Sequence, residues 1–246
     1  MPATPAWPPK SLPRLYVETP LEAGARVNLD AAQANYLGNV MRLKEGDRLL
    51  VFDGMSGEWL AEIAEAGKKR MTLSVTEPTR PQEAAPDLWL AFAPVKKGRV
   101  DWLVEKAVEL GVARLLPVVT QRTIVDKLNL DRMRAHIIEA AEQCGRTALA
   151  DIDEPVRLDA FLKQRDTGRT LYFADETGGE QAAVTFKAGP ALILTGPEGG
   201  FTSEEAATIR SARNTTAVSL GPRILRAETA ALAAVAAWMS AAGDWR

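Results

Sequence analysis

A chain of 246 residues, 46% hydrophobic and 25% charged, is long enough to bury one large core or two modest ones, and its composition excludes a disordered or fibrous protein. The formal net charge of -2 excludes a uniformly basic nucleic-acid binder, so any contact with a polyanion must use local patches. One cysteine, Cys144, excludes an internal disulfide and agrees with a reducing cytoplasm, and no apolar run is long enough to span a bilayer.

In chain order, proline-rich residues 1–13 lack the apolar stretch of a secretory leader and read as a mobile tail. From Arg14 to about residue 77 short strands alternate with turns. Arg14 to Val17, Arg26 to Leu29, Arg48 to Phe52, Glu58 to Ile63 and Met71 to Val75 are the strands, and Lys44-Glu45-Gly46-Asp47 and Asp53-Gly54-Met55-Ser56-Gly57 supply turns. Asp30 is placed to cap a helix ending near Arg42. This is the pattern of a small β-barrel. Lys68-Lys69-Arg70 reads as a solvated hairpin turn, and residues 78–86 as a linker.

From residue 87 to 246 strand and helix signals alternate, which predicts an α/β domain with a mostly parallel sheet. Leu88 to Ala93 is a strand, Arg99 to Leu110 a helix stopped by Gly111, Arg114 to Val119 a strand, and Asp131 to Cys144 a helix stopped by Gly145. Thr170 to Ala174, Ala191 to Leu194 and Ala217 to Leu220 are further strands. The last helix, from Thr229 to about Ala241, is apolar nearly all round and must be covered on more than one face, either within its own domain or, the reading preferred here, against a second copy of the chain. Trp59, Trp89, Trp102 and Trp238 read as core, and Cys144 as a packed thiol. His136, the only histidine, cannot build a multi-histidine metal site, and no metal-ligand cluster is visible.

Two strand-to-helix loops carry the chemistry. Leu194-Thr195-Gly196-Pro197-Glu198-Gly199-Gly200-Phe201 leads through a Thr202-Ser203-Glu204-Glu205 capping box into a helix. Ser219-Leu220-Gly221-Pro222-Arg223-Ile224-Leu225-Arg226-Ala227-Glu228-Thr229-Ala230 repeats the plan. Loops of this kind place backbone N–H and C=O groups side by side at the carboxyl ends of strands, where open α/β sheets bind ligands. Gly-x-Gly-x-x-Gly and Gly-Lys-Ser/Thr are both missing, which excludes the dinucleotide and P-loop fingerprints. The glycines allow a flat ligand close to the main chain, and the prolines stiffen both loops.

These two motifs, with Lys97-Gly98, Glu105-Lys106-Ala107-x-Glu109-Leu110-Gly111-Val112, Pro117, Gln121-Arg122 and Glu139-Ala140-Ala141-Glu142-Gln143-Cys144-Gly145-Arg146, resemble the 16S ribosomal RNA uridine-N3 methyltransferases, the small-subunit methyltransferase E family of the knotted SPOUT class. The resemblance covers nearly the whole chain. It implies a PUA-like RNA-binding β-barrel over residues 14–77 and a SPOUT methyltransferase domain over 87–246 with a carboxyl-terminal trefoil knot. It further implies S-adenosylmethionine as cofactor, 16S ribosomal RNA within the small ribosomal subunit as partner, a homodimer formed through the SPOUT domain, no metal, no membrane and a cytoplasmic location. Tyr36 departs from the pattern, since the family commonly has histidine before a Val-Leu-Arg and here Tyr36 precedes Val40-Met41-Arg42.

On that resemblance Leu194, Thr195, Gly196, Pro197, Glu198, Gly199, Gly200, Leu220, Gly221, Ile224, Leu225, Arg226, Thr229 and Ala230 are expected around the cofactor. Methylating uridine N3 requires removal of the imide proton or stabilisation of the anion left on the flanking carbonyl oxygens. Arg226 is expected to stabilise that anion, and Glu228 or Glu198 to orient the base or take the proton. Arg14, Tyr36, Arg42, Lys97, Arg122, Arg146 and Arg223 are expected to meet RNA, while Lys106 has acidic neighbours that compete for it. Ribose 2'-hydroxyl methylation by a related knotted enzyme and a catalytically silent ribosome-assembly factor are the competing readings. The intact cofactor loops speak against the silent factor.

Overall fold

The computed structural model describes residues 12–67, 70–125 and 127–245, together with all side chains among them except those of Lys97 and Ala183. The expectations for Lys68 and Lys69 and for residues 1–11 of the tail lie outside the described residues. The chain divides into two units, one running to Ala84 and including Glu142–Ala148, the other formed by Ala85–Ala141 and Leu149–Arg246.

The first unit contains β1 (Arg14–Tyr16), β2 (Arg26–Asn28), α1 (Ala31–Asn35), β3 (Arg48–Phe52), β4 (Glu58–Ala66) and β5 (Met71–Arg80). The sheet order is β1-β3-β4-β5-β2, with β1 parallel to β3 and the other pairs antiparallel. It curls around Leu15, Val27, Leu49, Val51, Ala61, Ile63, Leu73 and Val75, which the period-2 alternation of the strands sends to one face. Each of the leucines, valines and the isoleucine among them contributes about 1.5–3 kcal/mol of burial. Asp30 caps α1 as expected, in a reciprocal box with Gln33. The helix continues as a π-helical turn, Tyr36–Val40, which buries Leu37 and leaves Tyr36, Val40 and Met41 exposed. Arg42 ends it at φ 60°.

Strand β5 does not stop at Val75. It runs through Pro78 to Arg80, so the start of the expected 78–86 linker is strand. Register shifts in β4 absorb the proline opposite Trp59, and the hydroxyls of Thr76 and Thr79 donate to the carbonyls of Leu60 and Glu58.

Residues 142–148, expected inside the methyltransferase domain, belong by packing to the first unit. The Glu142 carboxylate accepts the Tyr16 N–H at 2.8 Å, and Arg14 donates to the carbonyls of Glu142 and Arg146 at 3.1 and 2.9 Å. Arg14 also pairs with buried Glu58 at 2.7 Å and lies over the Phe52 ring, while Arg146 pairs with Glu83 at 2.9 Å. Arg146 is therefore buried and Arg14 half-buried, each engaged in internal pairs, which corrects their expected placement on an RNA-facing surface. A buried guanidinium needs such partners, and sequence shows the charge but not its burial. Cys144 is exposed rather than packed, because it sits on the outward side of the turn that closes the helix before Gly145.

The second unit holds β6 (Leu88–Phe92), α2 (Lys97–Glu109), β7 (Arg114–Val119), most of α3 (Leu130–Cys144), β8 (Asp151–Ile152), β9 (Val156–Arg157), α4 (Leu158–Gln164), β10 (Thr170–Ala174), β11 (Glu180–Gln181), α5 (Ala182–Thr185), β12 (Ala191–Thr195), α6 (Ser203–Ser211), β13 (Thr215–Ser219) and α7 (Ala227–Ala241). Its sheet has the order β11-β13-β10-β12-β6-β7-β8, with β9 also on β7, and every pair is parallel. Both faces are covered, which explains why the central strands read as continuous apolar runs. Leu90, Leu115 and Ile193 pack with Val104, Ala231, Val235 and Trp238 on one side. Ala91, Leu192 and Leu194 pack with Phe161, Phe173 and Ile209 on the other.

Two expectations change here. The strands bearing the glycine loops are not neighbours, because β10 lies between β12 and β13. Trp102 is 45% exposed, since its position on α2 faces away from the sheet. Trp89 is partly buried between the guanidinium groups of Arg169 and Arg114, 3.8 and 4.8 Å from its ring centre. Lys106 resolves toward its acidic neighbours, pairing with Glu105 and Glu109 at 2.7 Å each, and those contacts raise its pKa.

Candidate cofactor-binding and active site

Every residue of β12 is buried, so the strand delivers its carboxyl end to a fixed position. Leu194 turns its side chain into the core and Thr195 is buried, its carbonyl accepting the Ala93 N–H at 3.1 Å. These two present only main chain to a ligand. The loop that follows is packed to the limit that glycine allows. A Cβ on Gly196 would lie 2.7 Å from the Phe201 ring, and Phe201 is fixed edge-on against Phe173 with ring centres 5.2 Å apart. Gly200, at φ +68°, donates to the Pro197 carbonyl at 2.9 Å, and a side chain there would strike the Glu176 carboxylate. The Thr202–Glu205 capping box then starts α6.

The segment after β7 braces this loop. Arg122 Nη1 donates to the carbonyls of Gly199 and Phe201 at 2.7 and 3.2 Å, and the Gln121 N–H reaches Glu205 at 2.8 Å. Arg122, expected to contact RNA, thus spends one guanidinium nitrogen on holding the glycine loop. Glu204 has its pKa lowered, first by its own backbone N–H, then by the Thr202 hydroxyl and by the charge of Arg122. The segment after β10 is a third wall that the sequence did not mark. Buried Asp175 accepts from Arg210 Nε at 2.7 Å and from the Thr177 N–H at 3.0 Å, fixing the turn that places Glu176 against Gly200. Gly178-Gly179 directly after a strand was the available signal.

The second loop is more open. Gly221, at φ +106°, has no atom within 4 Å of the place a Cβ would take, and Pro222, Arg223, Ile224 and Arg226 are exposed. Ile224 is 95% exposed, Leu225 and Leu220 are half-buried, Thr229 is exposed and Ala230 half-buried. Arg226 is the N-cap residue of α7 and takes the Ala230 N–H on its carbonyl at 2.8 Å. Its guanidinium and that of Arg223 form no ion pair with any described residue.

One residue joins the two loops. Arg99, on the first turn of α2, lies 3.6 Å from the Glu198 carboxylate with Nη1 and 3.6 Å from that of Glu228 with Nε. In the sequence Arg99 stands out only as the first residue of the helix expected over Arg99 to Leu110. Glu228 is buried, and its Oε2 has no hydrogen-bond partner among the described residues. Tyr36 and Arg42 belong to the first unit, where both are exposed, while the Lys97 side chain lies outside the described residues. Among the described residues no group of three or more His, Cys, Asp or Glu is placed to hold a metal, and no helix is long and apolar enough to cross a membrane.

A parallel sheet with glycine-rich loops at its carboxyl edge, following a small curled sheet, is the architecture of an RNA methyltransferase. The RNA methyltransferase domain family matches residues 82–239, and the RNA methyltransferase PUA domain family matches residues 29–76. A Rickettsia conorii protein described as ribosomal RNA small subunit methyltransferase E is 31% identical over 229 residues, covering 91% of this chain and 93% of its own. Among solved structures, a ribosomal RNA small subunit methyltransferase E from Neisseria gonorrhoeae bound to S-adenosyl methionine superposes with TM-score 0.87 at 30% identity, over 96% of this chain and all of that one. A putative methyltransferase from Legionella pneumophila, in complex with the same cofactor, gives TM-score 0.86 at 28% identity over 95% of this chain and 99% of its own. The chain belongs to the ribosomal RNA small subunit methyltransferase E family.

Proposed function

We propose that the protein transfers a methyl group from S-adenosylmethionine to N3 of one uridine in 16S ribosomal RNA of the small subunit. The observation that carries this reading is the pair of glycine loops after β12 and β13, tied through Arg99, in a chain similar to two solved structures that hold that cofactor. The residues fit the cofactor. Gly196, Gly200 and Gly221 bring bare main chain to the surface of the site, and the unpartnered Glu228 oxygen offers an acceptor within it. Main-chain groups of Leu194 to Gly200 and of Leu220 to Leu225 would hold adenine and ribose, with Thr229 and Ala230 along the start of α7. S-adenosylmethionine supplies the methyl group on a sulfonium, and alignment of N3 with the sulfur–carbon bond supplies much of the acceleration. Arg226, unpaired and next to the second loop, would stabilise the anion on the imide oxygens, with a glutamate taking the proton.

Tyr36, Arg42, Lys97 and Arg223 form the proposed RNA-contacting set, and Arg122 acts there through the loop it braces. Activity on ribosomal RNA implies a cytoplasmic location. A trefoil knot is part of the same reading, supported by β13 entering the sheet between β10 and β11, two strands that precede it in the chain. A homodimer through the methyltransferase domain is supported by α7, whose Leu232, Ala233, Ala236 and Ala237 are only half-buried, and by exposed Trp102 on α2. A monodisperse monomer at micromolar concentration by light scattering would contradict the dimer.

The function is tested with labelled S-adenosylmethionine and small subunits lacking the modification, followed by nucleoside digestion. Label in 3-methyluridine is expected. Label in a 2'-O-methylated nucleoside would move the target to ribose, and no label would leave a silent assembly factor.

A further inference from the structure

We propose that Arg99 is a positioning residue for methyl transfer and that, of the two glutamates it holds, Glu228 and not Glu198 receives the proton from uridine N3. This rests on the function proposed above. A single guanidinium spans a carboxylate from the loop after β12 and a carboxylate from the first turn of α7, each at 3.6 Å. That separation is beyond an N–H···O bond, so Arg99 holds both groups by charge without saturating their lone pairs. The two glutamates then differ in their surroundings. The Glu198 side chain keeps 31% of its surface in solvent, where water satisfies its oxygens. Glu228 keeps 9%, and its Oε2 is buried with no hydrogen-bond partner among the described residues. Buried polar atoms in folded proteins are almost always hydrogen-bonded, so an unfilled acceptor beside the ligand loops points to a donor brought by the ligand.

The imide edge of uracil presents carbonyl, N–H and carbonyl in a row. Glu228 offers the acceptor for the N–H, and Arg226, two residues earlier at the same helix end, offers donors for a flanking carbonyl. Cytosine has an unprotonated N3 whose lone pair would face the carboxylate, so the same oxygen discriminates uridine from cytidine. In the step itself the N3–H bond breaks and its proton passes to Glu228 Oε2. The N3 electron pair forms the bond to the methyl carbon, and the sulfur–methyl pair returns to sulfur, which becomes a neutral thioether.

The test compares full-length wild type, R99Q, R99K, E198Q and E228Q on unmodified small subunits, with kcat, subunit KM, 3-methyluridine yield, melting temperature and calorimetric S-adenosylmethionine Kd for each. E228Q is expected to lower kcat about a hundredfold, the scale of a lost general base, with Kd within about threefold. R99Q is expected to lower kcat about tenfold and R99K to recover most of that loss, because the change acts through the placement of Glu228. E198Q is expected to lose less than about fivefold. E228D replaces E228Q if the melting curve shows E228Q unfolded, and its withdrawn carboxylate should cost more kcat than E198Q does, with Kd again within about threefold. A larger loss in E198Q than in the Glu228 variant, R99K no better than R99Q, or an R99Q defect confined to Kd or KM would overturn the inference. A wild type that forms no 3-methyluridine would instead refute the function on which it rests.

Discussion

Arg226→Ala is expected to lower kcat about a thousandfold while leaving S-adenosylmethionine affinity within a factor of three. The residue caps α7 with its backbone, makes no ion pair with any described residue through its side chain and is exposed at the mouth of the second loop. A cation kept free of internal partners costs nothing to redirect toward charge that develops on a substrate. Removing one preorganised donor from an anion-stabilising site costs about a hundred- to a thousandfold, and a full positive charge belongs at the upper end. Since the backbone carbonyl and not the side chain serves the helix, the melting temperature should hold. Single-turnover methyl transfer at saturating cofactor isolates the chemical step, and wild-type turnover in that assay would remove Arg226 from the mechanism.

The second large effect belongs to Gly196→Ala. Its Cβ would sit 2.7 Å from one ring carbon of Phe201 and 3.0 Å from the next, closer than real contacts allow. Phe201 cannot retreat without disturbing Phe173 and the cluster that includes Leu194 and Ile209. Overpacking of this kind costs about 1–3 kcal/mol. The movement that relieves it displaces the main chain that would hold the cofactor, so S-adenosylmethionine affinity should fall more than about a hundredfold, since small displacements of a positioned group have effects of that order. Gly221→Ala separates strain from crowding. Its φ of +106° is unfavourable for alanine but the space around it is open. A backbone penalty of about 1–3 kcal/mol is expected there without a clash. Calorimetric titration with melting curves on both variants checks the contrast, and equal cofactor affinities in the two would contradict it.

Local pattern revealed most of this molecule. The capping boxes at Asp30 and Thr202 and the stops at Gly111 and Gly145 are written in adjacent residues, and all stand where the sequence placed them. Strand β13 begins at Thr215, two residues before the expected start, because its β-branched threonines extend the pairing with β10. The two-residue strands β8, β9 and β11 and the helices α4 and α5 are too short to show a period. Long-range facts were the least legible. Nothing local in Arg14 or Arg146 says that each is paired with a partner far along the chain, and nothing in Arg99 says that it meets Glu198 and Glu228. The same limit hid β10 between the two loop-bearing strands, since sheet order is set by the whole topology and not by any one strand.

The glycine loops after β12 and β13 are where this protein is proposed to hold its cofactor. The most direct measurement is a crystal structure of this protein grown with S-adenosylmethionine. Adenine and ribose against the main chain of Leu194 to Gly200 and Leu220 to Leu225, with the methyl group turned toward Arg226 and Glu228, is the predicted result. Density for the cofactor in the cleft of about 670 Å³ lined by Gln121, Arg157 and Thr208, with both glycine loops empty, would contradict it.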